Sequence, residues 1–167
     1  MRKIVFLVFI AAVVNLQNVF AEVPPTKISI GTPDLAVQIK RCVAEEKIVL
    51  VDLVFTNKTD DDVDIRMGNV NIMNAFVIYD SEGNSYTGGK RLIRCANNPF
   101  TEWEISFLAL PEIPVKVQIK VVGVPTEAEF LSLIKLPIHS EALGLSFLDM
   151  SHTGKYPSLR NIPITRN

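Results

Sequence analysis

The chain has 167 residues, with 17 basic and 18 acidic side chains and a formal net charge of −1. That balance gives no electrostatic footing for nucleic acid or for an anionic membrane surface, both of which call for a basic excess. No internal repeat, low-complexity tract or linker breaks the sequence.

The first 21 residues read as a secretory signal peptide. Arg2 and Lys3 are followed by an unbroken apolar run over residues 4–14, and Val19-Phe20-Ala21 supplies a cleavage site. The run is well short of the ~20 residues that span a bilayer, and Asn15, Gln17 and Asn18 stop it from extending. No Cys follows it for lipid attachment. The expected mature chain, residues 22–167, loses two of the 17 basic residues and none of the 18 acidic ones, which puts its charge near −3. It is of single-domain length, exported to the periplasm or cell exterior, with no transmembrane span after cleavage. Export and an even cysteine count predict a disulfide between Cys42 and Cys95. It would close a loop of about fifty residues and contribute ~4 kcal/mol in chain-entropy terms. The alternative is two free, buried thiols.

In chain order, Pro24-Pro25 forces an extended entry, and residues 27–30 predict a short strand ended by Gly31 and Pro33. Leu35, Val37 and Ile39 alternate with polar neighbours as a half-buried strand. Cys42 falls on the opposite parity, so it either faces outward or follows a bulge. A hairpin over residues 44–47 leads into residues 48–55. There Val49, Val51, Leu53 and Phe55 form one row, and Ile48, Leu50 and Val54 form the other with Asp52 as its one polar member. Two apolar rows predict a central strand. Residues 57–64 form a polar loop, 63–67 a short edge strand, 74–79 a firm strand, and 81–84 a hairpin turn. Residues 85–94 predict one strand with a bulge at Gly88-Gly89. Trp103, Ile105, Phe107 and Ala109 predict a half-buried strand, and Val115, Val117, Ile119 and Val121 give the cleanest period of two. Thr126 and Glu129 have the spacing of a capping box for one helical turn. Residues 130–137 return as a strand or a short helix, and residues 143–148 and 159–164 as weaker strands. Many short strands at hairpin spacing predict an all-β, two-sheet antiparallel sandwich of about eight strands with little helix.

The Asn57-Lys58-Thr59 turn after an apolar strand, the run Ala75-Phe76-Val77-Ile78-Tyr79-Asp80-Ser81-Glu82-Gly83-Asn84-Ser85-Tyr86, and Pro111-Glu112-Ile113-Pro114-Val115-Lys116-Val117 together resemble secreted bacterial immunoglobulin-like domains of unknown function. The resemblance covers roughly residues 48–124 and implies a fold rather than an activity. The Cys-Trp-Cys order of antibody domains is absent, because Trp103 follows both cysteines.

Few residues suggest chemistry. Asp60, Asp62 and Asp64 alternate as calcium ligands do, but Ile65 and Asn71 stand where a calcium loop needs Gly and Glu. A solvated acidic loop fits them better. Asn57-Lys58-Thr59 has the form of a glycosylation sequon and reads more simply as a turn. His139 and His152, with Ser140, Glu141, Asp149 and Ser151 nearby, are the material for a hydrolase or a metal-dependent enzyme. The histidines are too far apart for a paired metal motif, and Gly144-Leu145-Ser146-Phe147-Leu148 lacks the second Gly of a nucleophile elbow. Lys90, Arg91 and Arg94, with Lys155 and Arg160, could form a basic patch or simply a solvated face. The sequence leads us to expect a non-catalytic exported module without cofactor, which binds a protein or another cell-envelope component. An enzyme using His139 and His152 is the alternative, and a calcium-stabilised adhesion domain a minor one.

Overall fold

The two strongest alternating runs become the middle of one sheet. β-branched residues at every second position favour extended backbone and place one row on each face. In the computed structural model, which describes residues 23–68, 75–146 and 155–166, these runs are β3 (Ile48–Asn57) and β9 (Val115–Val122). They pair antiparallel from Ile48↔Val122 to Phe55↔Val115. β2 (Leu35–Glu45) pairs with the other side of β3 through a hairpin turn in which Glu46 adopts φ 51°. β7 (Arg91–Cys95) flanks β9, and β13 (Thr165–Arg166) lies parallel to β2 at Val43 and Ala44, completing the order β13-β2-β3-β9-β7.

The second sheet runs β1 (Lys27–Ser29), β12 (Ser158–Pro163), β10 (Phe130–Lys135), β5 (Val77–Asp80) and β6 (Ser85–Tyr86). A third places β4 (Val63–Met67) between β11 (Ile138–His139) and β8 (Ile105–Ala109). The described residues are therefore all-β, in three open sheets with thirteen strands rather than the eight expected. Residues 1–22, which hold the expected signal peptide, lie outside the described residues, and no described helix is long and apolar enough to cross a membrane.

Inward rows from all three sheets meet in one hydrophobic core. Val49, Val51, Leu53 and Phe55 of β3 are fully buried, as are Val117, Ile119 and Val121 of β9, Ile78 of β5, Leu131 and Ile134 of β10, and Ile65 and Met67 of β4. Each such side chain removed from water contributes about 1.5–3 kcal/mol, so this common core is the main source of stability. β4 ends at Gly68, whose φ of 114° excludes other residues; a Cβ there would stand 2.7 Å from the Trp103 carbonyl oxygen.

β2 settles the position of Cys42. Ile39 pairs with Leu53, but Arg41 pairs with Asp52, so Lys40 is an extra residue in the ladder. This bulge switches the buried parity from Leu35 and Val37 to Cys42 and Ala44.

The expected disulfide is overturned. Cys42 and Cys95 are both buried free thiols. Cys42 lies on β2 and Cys95 on β7, with β3 and β9 between them. Three strand spacings put the two backbones about 14 Å apart, twice the roughly 7 Å at which a bridge can close. Burial pushes the Cys42 thiol up to about 12, only partly countered by Arg166, and it raises Cys95 as well. Both thiols should therefore resist a thiol reagent in the native protein and react together once denaturant unfolds it. Reducing agent should leave the melting temperature unchanged; a fall of several degrees on reduction would contradict the separation.

Other expectations change for local reasons. Gly88-Gly89 is not a bulge within one strand: a 3₁₀ turn over Gly88–Lys90 carries the chain from β6 in one sheet to β7 in another. β4 is flanked on both sides rather than lying at an edge. β8 begins at Ile105, so Trp103 falls before it and stays 57% exposed. No helix follows Pro125: the Ala128 N–H closes a turn onto the Pro125 carbonyl, and the Glu129 N–H donates to Ser81 Oγ instead of entering a capping box. Residues 141–144 form a turn that brings Leu145 into a bridge with Ser140, and residues 147–148 of that expected strand lie outside the described residues.

Candidate functional site

A polar network that spans four strands lies on the outer face of the β13-β2-β3-β9-β7 sheet. Strand register sets it out: Arg41 of β2 faces Asp52 of β3, Asp52 faces Gln118 of β9, and Gln118 faces Arg94 of β7. One transverse row thus carries four polar side chains on four neighbouring strands. Arg41 Nε donates to Asp52 Oδ2 at 3.0 Å, Gln118 Nε2 donates to Asp52 Oδ1 at 2.6 Å, and Arg94 Nε donates to Gln118 Oε1 at 2.6 Å. Lys116 adds an ammonium 3.4 Å from Asp52 Oδ2. The Arg94 guanidinium lies 4.4 Å from the Phe100 ring centroid, and Lys120 Nζ lies 5.9 Å from the same ring.

Asp52 is buried at the centre of this row. Burial alone would raise its carboxyl, but the Gln118 amide, Lys116 and Arg41 together outweigh that and hold it below its usual range. A carboxyl depressed by folding contributes stability that is full above its unfolded value, near 4, and is lost as pH falls through the lower folded value. Asp52→Asn should therefore be less stable than the parent at neutral pH and lose less stability on acidification below about pH 4. Urea midpoints measured across that range would show two parallel curves if the carboxylate had no such role.

Beside the row lies an open groove of about 960 Å³, with Val43, Ile48, Leu50 and Phe100 as its apolar lining and Arg41 and Lys120 as its cations. Glu45 and Glu46 stand at its hairpin end. A second groove, of about 710 Å³, opens where β2 meets the edge of the other large sheet, between Thr26, Ile28, Val37, Lys40 and Pro163, with Cys42 at its lining. The first groove combines two cations, Arg41 held by Asp52 and Lys120 beside Phe100, with an apolar floor, the composition of a binding site.

The residues singled out in sequence fare differently. Arg94 joins the row, but its neighbour Arg91 points the opposite way and is fully buried in the core. There its Nε donates to the Phe76 carbonyl, its Nη1 donates to the Glu102 carbonyl at 3.1 Å, and its guanidinium covers the Phe76 ring at 4.5 Å. Arg160 lies on β12 in another sheet and Lys90 in the turn before β7, so the basic residues grouped in sequence do not form one patch.

Asp60 and Asp62 are exposed in the loop after β3, and Asp64 is exposed on β4 opposite Leu108. Among the described residues, no group of three or more His, Cys, Asp or Glu is arranged to hold a metal ion. Asn57, the sequon asparagine, is fully buried: Nδ2 donates to the Asp61 and Ala109 carbonyls at 2.7 and 2.9 Å, and Oδ1 accepts from the backbone N–H and hydroxyl of Thr59. All its hydrogen-bonding capacity ties the loop to β8, so it offers no site for a glycan. His139 lies on β11 opposite Arg66, and Ser140 is buried beside it. His152, Asp149 and Ser151 lie outside the described residues.

Sequence reading gave Asp52 as the odd polar residue of its strand but did not find its partners. Arg41 reaches it only because the Lys40 bulge shifts β2 by one residue. Phe100 lies in a loop with no periodicity to mark it. The chain matches no protein-family model, and no curated protein matches it.

Proposed function

We propose that this chain is an exported, immunoglobulin-like β-sandwich domain that acts without catalysis as a binding module of the periplasm or cell exterior. The outer face of the β13-β2-β3-β9-β7 sheet is its contact surface. The observation that carries this reading is the transverse row Arg41-Asp52-Gln118-Arg94, fixed by hydrogen bonds beside an apolar groove. A row built in register across four strands is preorganised, so a partner pays little ordering entropy on contact. The sandwich reading is supported by the single core to which both five-stranded sheets contribute. Export is supported by the signal-peptide pattern of residues 1–21.

The test is site-specific photocrosslinking in the native envelope. A photoreactive residue at Leu92, which pairs with Lys120 on this face, should capture a discrete partner. The same residue at Tyr79, 37% exposed on the other large sheet, should not. Equal capture at both positions, or none at either, would overturn the assignment of the face. Mass analysis of the processed chain should find its N-terminus at Glu22; a retained leader would overturn export by cleavage.

A further inference from the structure

We infer that the ligand of this face is an extended, acidic protein segment with two carboxylates four residues apart and an apolar side chain midway between them. This rests on the face proposed above and adds the chemistry of its occupant. Arg41 and Arg94 are both held through Nε, to Asp52 and Gln118, and Arg94 is also stacked on Phe100. Among the described residues, no Nη nitrogen of either arginine makes a hydrogen bond. Each guanidinium is thus oriented by the sheet and still presents the paired donors that match a carboxylate.

Charge complementarity gives the sign of the ligand. Arg41 and Lys116 flank the Asp52 carboxylate and Arg94 and Lys120 flank Phe100, so four cations stand against the three carboxylates of Asp52, Glu45 and Glu46, and the face is net positive on a chain whose formal charge is −1. Spacing gives its form. The two arginines lie on strands three steps apart, about 14 Å at the usual strand spacing. Extended chain advances about 3.3 Å per residue, so side chains at positions i and i+4 are about 13 Å apart and point to the same side. Asp52 and Gln118 fill the row between the arginines, and the next row along the strands is aliphatic at Val43 and Leu50, so an apolar side chain at i+2, on the same side as the two acids, would cover it. Arg41 and Arg94, three strands apart, do not converge on one phosphate. Glu45 and Glu46 at the groove's end oppose a flat anionic lipid surface.

The test uses the chain from residue 22 onward and a fluorescent five-residue peptide, Glu-Thr-Val-Thr-Glu, capped at both ends, whose central Val shares the face of the two acids, with a Gln-Thr-Val-Thr-Gln peptide as comparison. Anisotropy should show binding of the glutamate peptide that weakens as salt rises, and at least tenfold weaker binding of the glutamine peptide. Arg94→Gln and Arg41→Gln should each weaken binding about tenfold, as loss of a charge-assisted bond does. Lys120→Gln, which removes no hydrogen bond, should weaken it less but measurably, so the inference stays testable if an arginine variant fails to fold. Lys27→Gln, on β1 of the other sheet, should bind as the parent does. Equal binding of the two peptides, or arginine variants that fold and bind normally, would overturn the inference. So would Arg94-dependent binding of inorganic phosphate or phosphatidylglycerol vesicles without binding of the peptide. If crosslinking at Leu92 succeeds while the glutamate peptide fails, the face stands and the acidic segment falls.

Discussion

Arg91→Ala should destabilise the protein by about 3–5 kcal/mol, the combined effect of a large core truncation and two buried carbonyls left without donors. The side chain is fully buried, yet burial only partly explains the cost. Its guanidinium donates to the carbonyls of Phe76 and Glu102 and covers the Phe76 ring, tying the segment before β5 and the segment before β8 to β7. Truncation leaves two carbonyls without donors and a cavity the size of the lost stem. Burial pulls the Arg91 guanidinium down from its ordinary value, and Glu102 counters part of that. The charge itself is therefore a cost, and Arg91→Met, which keeps the stem and discards the charge, should be milder than alanine by about 1–2 kcal/mol. Arg91→Lys keeps the charge but lacks the planar fork that reaches both carbonyls, and should fall between them. Urea unfolding decides the matter, with midpoints ordered parent, Met, Lys, Ala and similar slopes. An alanine variant as stable as the parent would show that the two carbonyls do not depend on this donor.

Asp80→Ala should cost about 2–4 kcal/mol, and the reason is local. Asp80 is 1% exposed at the end of β5 and is the acceptor for a whole turn. Oδ1 accepts from the backbone N–H groups of Glu82 and Asn84, at 3.0 and 2.9 Å. Oδ2 accepts from the Asn84 amide at 3.0 Å and the Tyr86 hydroxyl at 2.6 Å. One carboxylate thus closes the β5–β6 hairpin and orders the tyrosine beyond it. Asp80→Asn keeps one acceptor oxygen and should recover about half of the loss. Tyr86 supplies a second readout. Burial raises its phenol first, and the Asp80 carboxylate raises it further. In Asp80→Ala the phenol should titrate lower than in the parent while staying above the usual tyrosine value. A phenolate absorbance titration identical to the parent's would show that the carboxylate does not act on Tyr86.

Sequence periodicity reached most of the architecture because it reports what each strand buries. Val49 to Phe55 and Val117 to Val121 alternate in sequence and are buried in the same alternation. The change of parity before Cys42 pointed to a bulge or an outward thiol, and the bulge at Lys40 is what occurs. Pairing between distant strands was not legible, since periodicity fixes which face a residue takes but not its neighbour across the sheet. The cysteines show this. Counting and compartment favoured a bridge, whereas strand order places β3 and β9 between them. Arg91 shows the same limit from another side: its position in β7 is an inward one, but a charged residue next to Lys90 reads as surface until its carbonyl partners are known. The candidate site was legible only at Asp52, because Arg41, Gln118 and Arg94 come to it from three other strands.

The extra residue in β2 has a consequence for how these molecules behave in a crowd. Among the described residues, β13 pairs with β2 only at Val43 and Ala44, and no strand pairs with residues 35–42 on that side of the sheet. Such a border is a template on which another copy could add a strand and begin a polymer. The kink at Lys40 spoils it, because a straight incoming strand can match the ladder before the kink or after it but not across it. Lys40 and Arg41 add charge at the same point, and Pro163 lines the approach without an N–H to offer. Removing Lys40 would straighten the border only by turning either Leu35 and Val37 or Cys42 and Ala44 out of the core. The same residue that buries Cys42 thereby makes this border a poor template for an added strand.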